Sequence, residues 1–441
     1  MNESVAYLET VYADKSELNL ETLSKVYSDR AFLHDKVSKL LGNFFASEIK
    51  GKSILVKPNW VKQSQKPTDE YCLRTNENLI LETLSYLCGF SPKKIILGDA
   101  PIQGCDWTKM LPVSFIDEVN SLSSKYNVLI KIKDFRRTVF STSKNEISRE
   151  RVSLKDYVIF DLGKKSFLEP ITNDGKNRFR VTCYNPDKLA KSHHKGVHKY
   201  CIAKDVFDSD IILSMPKIKT HQKAGITNAM KILVGVNGDK DFLPHHRIGA
   251  KEYGGDCYPG KSILRSMSEW FIDNANRHIG SVLYKPLCHV SSLLWKLSRP
   301  NSAQNLGAGW YGNDTVWRMV MDLNKIVTYG KADGTIANAP IRKVYSLCDG
   351  IIAGQGNGPL NPEPLPLGVL AASNDSYWVD IIAGHLLSMQ IDRIPNLKAA
   401  KDLLDLNSCR LVINGKLSSY DDLKEISVKA KMAPGWVNYD S

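Results

Sequence analysis

The sequence predicts an α/β protein with a mixed, mainly parallel sheet, flanking helices, an antiparallel β insertion and a helical insertion. Two short apolar runs, Ile54–Val56 and Ile95–Leu97, are separated by a segment with leucine and isoleucine at helical spacing. Each run ends in polar residues and a proline, Pro58 or Pro101, which cannot donate to a ladder. A strand, helix and strand within about 45 residues form the βαβ unit of a parallel sheet. We therefore expect ligands at the carboxyl edge of that sheet.

The rest of the chain extends this pattern. Short strand-like runs between 128 and 185, joined by polar turns, predict the antiparallel insertion. Another strand is predicted at Asp210–Pro216, followed by a helix from Thr227 to Val236 with Thr227 as its N-cap. We expect five regions: 1–125, an N-terminal α/β part; 126–190, the β-rich insertion; 191–261, a basic strand-loop-helix region; 262–330, the helical insertion; and 331–441, a C-terminal α/β part that completes the core.

Composition restricts the class of protein. Of 441 residues, 43% are hydrophobic and 24% charged, which is globular usage and argues against a disordered or collagen-like chain. The nine cysteines are at least sixteen residues apart, which excludes a zinc ribbon and a local cluster-binding run, so an iron–sulfur cluster is not expected. Their odd number fits reduced thiols, the N-terminus does not resemble a signal peptide, and no apolar window reaches about 18 residues. We expect a soluble, cytoplasmic protein.

The positive charge is concentrated in one segment. The chain has a net charge of +12. Residues 188–231 hold nine lysines and three aspartates, so this segment carries half of the net positive charge of the chain. This segment has only two aromatic residues, Tyr200 and Phe207, and no basic recognition helix stands out. We therefore expect an anionic small molecule or glycan-type substrate as the partner, and no nucleic acid.

The run Met215–His221 carries the strongest functional signal. A buried strand is followed at once by Lys217, Lys219 and His221, which share one face if the extended conformation continues past Pro216. A helix start with further polar residues comes next, where amides could add donors for an anion. The alternative is that these lysines are solvated loop residues. Because they crowd a predicted sheet edge, we interpret them as a site.

Two histidine groups are weaker candidates. In a strand His194 and His198 would share a face, and in a helix their spacing would suit a metal, although Gly196 disfavours the helix. An anion-binding or solvated strand is the alternative. The run His245–Arg247 could close over a substrate as a loop, or be an ordinary surface segment.

Two glycine-containing runs resemble phosphate-binding loops. Residues 255–262 match the P-loop expression letter by letter, but no apolar run precedes them, so we interpret the match as chance. In the run Asp349–Pro359, three glycines at alternate positions could let backbone amides approach a ligand, or could form a structural turn.

The helical region 262–298 mixes apolar and basic residues. Trp270, Phe271, Leu293 and Trp295 lie among lysines and arginines, which could suit an anionic membrane surface. Packing against a domain is the alternative.

Five runs together resemble the domain of unknown function family 362, over most of residues 50–390. They are Val56–Asn59, Gly98–Pro101, Pro216–His221, the helix start at 227–235 and Asp349–Pro359. The resemblance implies an α/β fold and the location of the site, but no reaction. Members of this family are sometimes fused to iron–sulfur modules, whose clustered cysteines this chain lacks. The runs Gly312–Asp314 and Asp322–Asn324 resemble relatives found near polysaccharide-synthesis functions.

The sequence thus predicts an enzyme acting on a phosphorylated or carboxylated small molecule or sugar derivative, in polysaccharide biosynthesis as one option. The alternative is a non-catalytic anion-binding or redox-partner protein. The cofactor is unknown, with a divalent metal as an option. We expect the following roles: catalysis by His221, Lys219 and Lys231; substrate binding by Lys57, Asn59, Lys217, Thr227, Asn228, Gly354, Gly356 and Gly358; and metal binding, if any, by Asp99, Asp349, His194 or His198.

Overall fold

A computed structural model describes residues 3–45, 48–141, 146–148, 151–173, 175, 178–298, 307–436 and 439. The strands are β1 Ser4–Thr10, β2 Ser53–Pro58, β3 Lys94–Asp99, β4 Ile130–Asp134, β5 Val139–Ser141, β6 Glu146–Ser148, β7 Tyr157–Asp161, β8 Phe179–Arg180, β9 His193–His194, β10 Val197–Ala203, β11 Ile211–Met215, β12 Lys217–His221, β13 Gly225–Thr227, β14 His246–Arg247, β15 Lys343–Asn357, β16 Asn361–Ser373, β17 Cys409–Ile413 and β18 Lys416–Ser418. The α-helices are α1 Leu20–Ser28, α2 Arg30–Phe45, α3 Asp69–Cys72, α4 Glu77–Cys88, α5 Trp107–Met110, α6 Val113–Tyr126, α7 Pro186–Ser192, α8 Ala229–Ile232, α9 Ile263–Arg277, α10 Tyr284–Leu297, α11 Val316–Tyr329, α12 Ser376–Leu386, α13 Pro395–Leu403 and α14 Leu423–Ile426.

One large mixed sheet organises the fold. Its strand order is β18-β17-β1-β16-β15-β11-β2-β3-β4, and β12 and β13 are attached beside β15. The five strands from β15 to β4 are mutually parallel, whereas β16 runs antiparallel to both of its neighbours. Smaller antiparallel sheets are formed by β7-β10-β9, β14-β8 and β5-β6. The predicted α/β class, with its mainly parallel sheet and small antiparallel additions, is confirmed.

The strand order reverses between β2 and β11. From β2 the chain adds β3 and β4 on one side, and later adds β11 and β15 on the other. A crevice opens at such a switch point, outside the carboxyl ends of the strands, and ligands of open α/β sheets bind there. This topology places Lys57, at the end of β2, and Lys217, just after β11, next to the switch point.

Apolar side chains fill both faces of the sheet. Alternation along the strands sends Ile54 and Val56 to one core, with α2 and α4, and Leu55 to the other, with α11 and α12. Strands buried on both faces are typical of parallel sheets and explain the continuous apolar runs of the sequence.

Three local predictions were wrong. Ile130–Asp134 pairs with β3 in the main sheet and does not belong to the insertion. The segment predicted as one helix from Thr227 divides into β13, the short α8 and a 3-10 turn at Leu233–Val236, because Thr227 pairs with Lys219 in a ladder. The glycine-rich run after Asp349 is strand, because β12 and β16 both offer ladder partners to it.

Helices α9 and α10 form an antiparallel hairpin at the predicted helical insertion. Ser268 and Ser291 hydrogen-bond across their seam, with the Ser268 hydroxyl donating to the Ser291 carbonyl at 2.8 Å. The P-loop-like run ends here, with Ser262 capping α9 and no strand directly before it, as expected for a chance match. No helix in the described parts of the chain is long and apolar enough to cross a bilayer.

Candidate functional site: a buried lysine cluster

The first element of the site is an ion pair at the carboxyl ends of β2 and β3. Lys57 Nζ lies 2.8 Å from Asp99 Oδ1 and donates to the Pro58 carbonyl at 2.9 Å. Asp99 also accepts the backbone N–H groups of Trp60 and Ala100, both at 2.7 Å. Burial lowers the pKa of Lys57, and Asp99 opposes this shift. One predicted substrate-binding lysine is therefore already neutralised.

A second buried ion pair lies on the other side of the switch point. Lys217 Nζ is 2.6 Å from Asp349 Oδ2, and both side chains are fully buried. The Tyr27 hydroxyl donates to Asp349 Oδ1 at 2.5 Å and accepts from Lys217 at 2.9 Å. Asp349 Oδ2 also accepts the Asn76 amide at 3.1 Å. These contacts satisfy Asp349 and join α1 to the sheet.

Pro216 sets the direction of the next segment. β11 ends at Met215, and β12 resumes at Lys217 along the second half of the long strand β15, with Lys219 beside Gly354. The extended conformation predicted past Pro216 is present, so alternate residues Lys217, Lys219 and His221 are all buried.

Four buried lysines surround Asp99, and we call Lys57, Lys219, Lys231 and Lys240 the lysine cluster. They come from β2, β12, α8 and a 3-10 turn at Lys240–Phe242, and their side chains act electrostatically on one another or on Asp99. Among the described residues, no carboxylate lies within 4.0 Å of the ammonium groups of Lys219, Lys231 and Lys240. The cluster thus contains three buried ammonium groups without a carboxylate partner.

Burial lowers the pKa values of these three lysines, and no carboxylate partner offsets the shift. Burial, with the neighbouring lysines, lowers the pKa of Lys231 to about 7. Burial also lowers the pKa of Lys219 to about 7, although this ammonium donates to the carbonyls of Leu73 and Pro359. Lys240 donates to the Ala100 carbonyl at 3.0 Å, and burial lowers its pKa to about 8. Lys231 has no hydrogen-bond partner for its ammonium in the described structure, which leaves it the freest amine of the cluster.

The short helix α8 is held from two sides. The Asn324 amide donates to the Met230 carbonyl at 3.1 Å, and Asp380 accepts the Met230 N–H at 3.3 Å. Asn324 lies in the run Asp322–Asn324, and Asp322 accepts the Tyr200 hydroxyl at 2.8 Å. That run therefore positions the helix carrying Lys231.

His221 is buried at the edge of the cluster as a neutral imidazole. Its Nδ1 accepts the backbone N–H groups of Lys223 and Ala224 at 3.0 and 3.1 Å, which assigns the proton to Nε2. Burial and the positive charges of Lys231 and Lys223 lower its pKa well below the usual value. At neutral pH this residue can donate one hydrogen bond from Nε2, but it is not a cation.

The other predicted substrate-binding polar residues differ in their surroundings. Asn59 Nδ2 and Thr227 Oγ1 are buried without a hydrogen-bond partner in the described structure, and Thr227 pairs with Lys219. Asn228 instead donates to the Val379 carbonyl of α12 at 3.2 Å, so its amide is engaged with that helix.

Two of the three predicted glycines, Gly354 and Gly358, serve strand packing. A Cβ at Gly354 would approach the Lys219 Cβ to 2.7 Å, and one at Gly358 would meet the Thr220 carbonyl oxygen at 2.0 Å. The amides of Gly356 and Gly358 donate to the carbonyls of Lys431 and Gly356. Their amides are thus used inside the protein and do not form an open nest.

The predicted metal candidates do not come together. Asp99 and Asp349 each have a lysine partner, as described above. A turn at Lys195–Gly196 places His193 opposite His198, with their Nδ1 atoms 3.3 Å apart, so His194 does not share a face with His198. His198 Nε2 lies 3.0 Å from Glu169, whereas His194 is exposed and lines a cleft of about 400 Å³ with Arg178 and Lys195.

Sequence reasoning missed several residues of the site. A Cβ at Gly235 would meet Asp99 Oδ1 at 1.9 Å and Lys57 Nζ at 2.7 Å, so any side chain at this position would displace that ion pair. Tyr27 lies 190 residues before Lys217 in the sequence, and Lys240 lies in a 3-10 turn. No local sequence pattern marks either residue as part of the site. The polar run Asn237–Lys240 after the predicted helix was a signal that could have drawn attention to Lys240.

Part of the chain is similar to a known protein family. Residues 164–385 match the profile of DUF362, a domain of unknown function. The chain belongs to this family. The DUF362 segment contains β11, β12, α8 and Lys240, whereas Lys57 and Asp99 of the cluster lie before it.

Two individual proteins are similar to this DUF362 chain. A thylakoid-associated protein of Synechocystis sp. is 24% identical over 206 residues, which are 47% of this chain and 41% of that protein. The match thus spans less than half of that relative. A crystal structure of a Thermotoga maritima protein aligns over 85% of this chain and 59% of its own, at 9% identity and a TM-score of 0.31.

Proposed function

We propose that this DUF362 protein is an enzyme that binds a phosphorylated or carboxylated small molecule in the lysine cluster. The observation that supports this is the set of three buried lysines, Lys219, Lys231 and Lys240, without a carboxylate partner in the described structure. Burying a cation without a counter-charge is unfavourable, and a bound anion would remove that cost. The switch point of the sheet is where such a ligand is expected.

The chemistry available at the cluster is proton transfer beside an anion. With a pKa of about 7, Lys231 is partly neutral at physiological pH in the anion-free protein, and a bound anion favours its protonated form, so it would take up a proton on binding and can then donate it as a general acid. The Nε2–H group of His221 and the remaining ammonium groups can donate hydrogen bonds to a developing oxyanion. Asn59 and Thr227 offer further unpaired donors. A sugar derivative in polysaccharide biosynthesis is one substrate of this class.

The alternative is an anion-binding or redox-partner protein that does not turn over its ligand. It would use the same lysines, so binding alone does not separate the two proposals. All nine cysteines are free and lie in described parts of the chain, which suits work in the reducing cytoplasm under either proposal.

The binding proposal is tested with inorganic phosphate and citrate as probes, by isothermal titration of the full chain. We expect at least one probe to bind, and Lys231→Met to weaken it about ten- to hundredfold, because a charge-assisted hydrogen bond is lost. Lys331→Met, which changes an exposed lysine, is the matched control and should bind as the wild type does. Equal affinities of the two variants would rule out Lys231 as a ligand.

Turnover is tested with the anion that remains bound to the protein during purification. Native mass spectrometry of freshly purified protein should reveal a bound anion, which is then identified and incubated with the wild type and with Lys231→Met. Conversion by the wild type alone supports an enzyme with Lys231 in the reaction. If the wild type binds the anion but does not convert it with any co-substrate that is added, the non-catalytic alternative is favoured.

A second function is favoured by the surface of the α9–α10 hairpin. Half of the exposed large apolar side chains in the described structure belong to residues 263–297: Ile263, Leu264, Met267, Trp270, Val282, Leu283, Val290, Leu293 and Leu297. The only acids of this segment, Glu269 and Asp273, are buried, whereas Lys285 and Lys296 are exposed. We propose that this face attaches the protein to an anionic lipid surface. The similar Synechocystis protein is named as thylakoid-associated.

Vesicle sedimentation tests this attachment. The wild type should bind vesicles that contain about 30% phosphatidylglycerol more strongly than vesicles of pure phosphatidylcholine. The reason is that each lysine near an anionic surface contributes about 1 kcal/mol of binding free energy. Trp270→Ser with Leu293→Ser should reduce binding at least about fivefold through lost apolar area. Trp295 is buried and is therefore not the residue to change. Dimerisation in solution that is lost in the double variant, without vesicle binding, would instead assign the face to a second copy.

A further inference from the structure

Three side chains with metal-binding atoms meet in a place separate from the lysine cluster. One ring nitrogen of His246, the Cys257 sulfur and one Glu269 carboxylate oxygen all lie within 4.8 Å of one another. Each of the three residues is buried. The sequence did not predict any of them as a metal ligand. They lie in a short strand, a loop and a helix, so no local spacing of ligand residues marks them.

The surrounding backbone holds these side chains in place. The Gly249 amide donates to both Glu269 carboxylate oxygens at 3.0 and 3.1 Å, and the Cys257 amide donates to the Gly249 carbonyl at 3.1 Å. A Cβ at Gly255 would come within 2.2 Å of that carbonyl oxygen, so the loop between Gly249 and Cys257 is tightly folded. His246 is fixed by pairing of β14 with Arg180 of β8.

Two independent features point to a ligand between the three side chains. His246 Nδ1 is buried and has no hydrogen-bond partner in the described structure, and the residue is only 4% exposed. An unpaired buried nitrogen of this kind is unfavourable. His246, Cys257 and Glu269 also line a cavity of about 10 Å³, close to the space that one water molecule or ion needs.

The charges nearby leave room for a cation. Arg180 is paired with Asp273 at 2.8 Å, and Glu269 has no lysine or arginine partner within 4.0 Å among the described residues. A Cys257 thiolate and the Glu269 carboxylate would together carry two negative charges, which one divalent ion balances.

We propose that His246, Cys257 and Glu269 form a binding site for a zinc-class divalent ion. Nitrogen, thiolate sulfur and carboxylate oxygen are the donors that Zn²⁺ prefers, and hard ions such as Mg²⁺ are disfavoured by sulfur. Three protein ligands leave a fourth position for water or a substrate atom, as in catalytic rather than structural zinc sites. Binding deprotonates the Cys257 thiol and releases that proton to solvent. Lys223 acts electrostatically on His246 and Cys257 of this site and on Lys231 of the lysine cluster.

Metal titration of the full chain tests the site. After removal of metals with a chelator, we expect one Zn²⁺ per chain by elemental analysis following gel filtration, and thiolate-to-metal absorption when Co²⁺ replaces Zn²⁺. Cys257→Ser and Glu269→Gln should weaken Zn²⁺ binding by at least about tenfold, since even outer-shell changes cost that much. Cys288→Ser changes a half-buried cysteine of α10 and should keep full binding. Unchanged affinity in Cys257→Ser, or no zinc on the wild type, would overturn the proposal.

A second measurement needs no variant that might misfold. Zinc should slow alkylation of Cys257 by iodoacetamide in the wild type at least about tenfold, while Cys183, which is exposed, reacts at an unchanged rate. Equal rates for Cys257 with and without zinc would show that its thiol only hydrogen-bonds to Glu269. Both readouts are independent of anion binding, so failure here leaves the proposed function standing, and the reverse also holds.

Discussion

Replacing Lys231 by methionine should make the anion-free protein more stable while it weakens anion binding. The substitution keeps the length of the side chain and removes a buried ammonium that has no carboxylate partner among the described residues. Replacing even a buried ion pair by apolar residues of similar volume is often neutral or stabilising by about 1–4 kcal/mol, and an ammonium without a carboxylate lacks the attraction of such a pair. We expect a gain of this size at pH 6 in urea unfolding, as is common where a site sacrifices stability for function.

The gain should shrink as the pH rises. In the unfolded chain Lys231 has its ordinary pKa of 10.5, and in the folded protein a pKa of about 7, so the unfolded state binds more protons between these values. The stability of the wild type therefore rises with pH from about 7 to 10, and Lys219 and Lys240 contribute in the same direction. The slope should be smaller in Lys231→Met. Besides burial, the groups that shift the pKa of Lys231 most are Lys240, Lys223, Lys57 and Asp99, and Lys231 also acts on Lys219, His221 and His245.

Lys331→Met is the control for this experiment, because it removes an exposed charge and should leave both stability and slope nearly unchanged. A Lys231→Met protein that is less stable than the wild type at pH 6 would mean that this ammonium is paired in solution. The anion-binding proposal would then lose its main support.

Replacing Asp349 by leucine should be the most destabilising single change at the site. It leaves the Lys217 ammonium buried in the sheet without its partner at 2.6 Å and removes the acceptor of the Tyr27 hydroxyl. Breaking one side of a buried ion pair costs about 3–5 kcal/mol. We expect a loss of this size in the free energy of unfolding, measured in urea.

The double variant Lys217→Met with Asp349→Leu distinguishes the cause. Because it removes both charges together, it should recover most of the stability that Asp349→Leu loses. Tyr27→Phe, which keeps the ion pair, should cost only about 1 kcal/mol. A double variant as unstable as Asp349→Leu would show that packing around α1, rather than the uncompensated charge, determines the loss.

Much of the fold could be predicted because its signals are local. Buried parallel strands appear as short continuous apolar runs, and Pro58, Pro101 and Pro216 mark where they end. The same runs predicted that Lys57, Asp99 and Lys217 would lie at one edge. Two of the failed predictions share a cause, since Thr227 and the glycines after Asp349 lie in β-hairpins, one formed by β12 with β13 and one by β15 with β16. The distant strands β12 and β15 also pair with each other, so tertiary contacts override the local turn and helix signals there.

The sequence by itself determined that a basic strand, Lys217–His221, follows a parallel-sheet strand end, because adjacent residues alternate along one extended segment. Only the tertiary structure decided which charges cancel. Asp99 and Asp349 neutralise Lys57 and Lys217, while Lys219, Lys231 and Lys240 are left as the buried cations of the described site. Pairing and burial depend on atoms brought together from distant parts of the chain, and burial then lowers the pKa values of lysines that would look ordinary in the sequence.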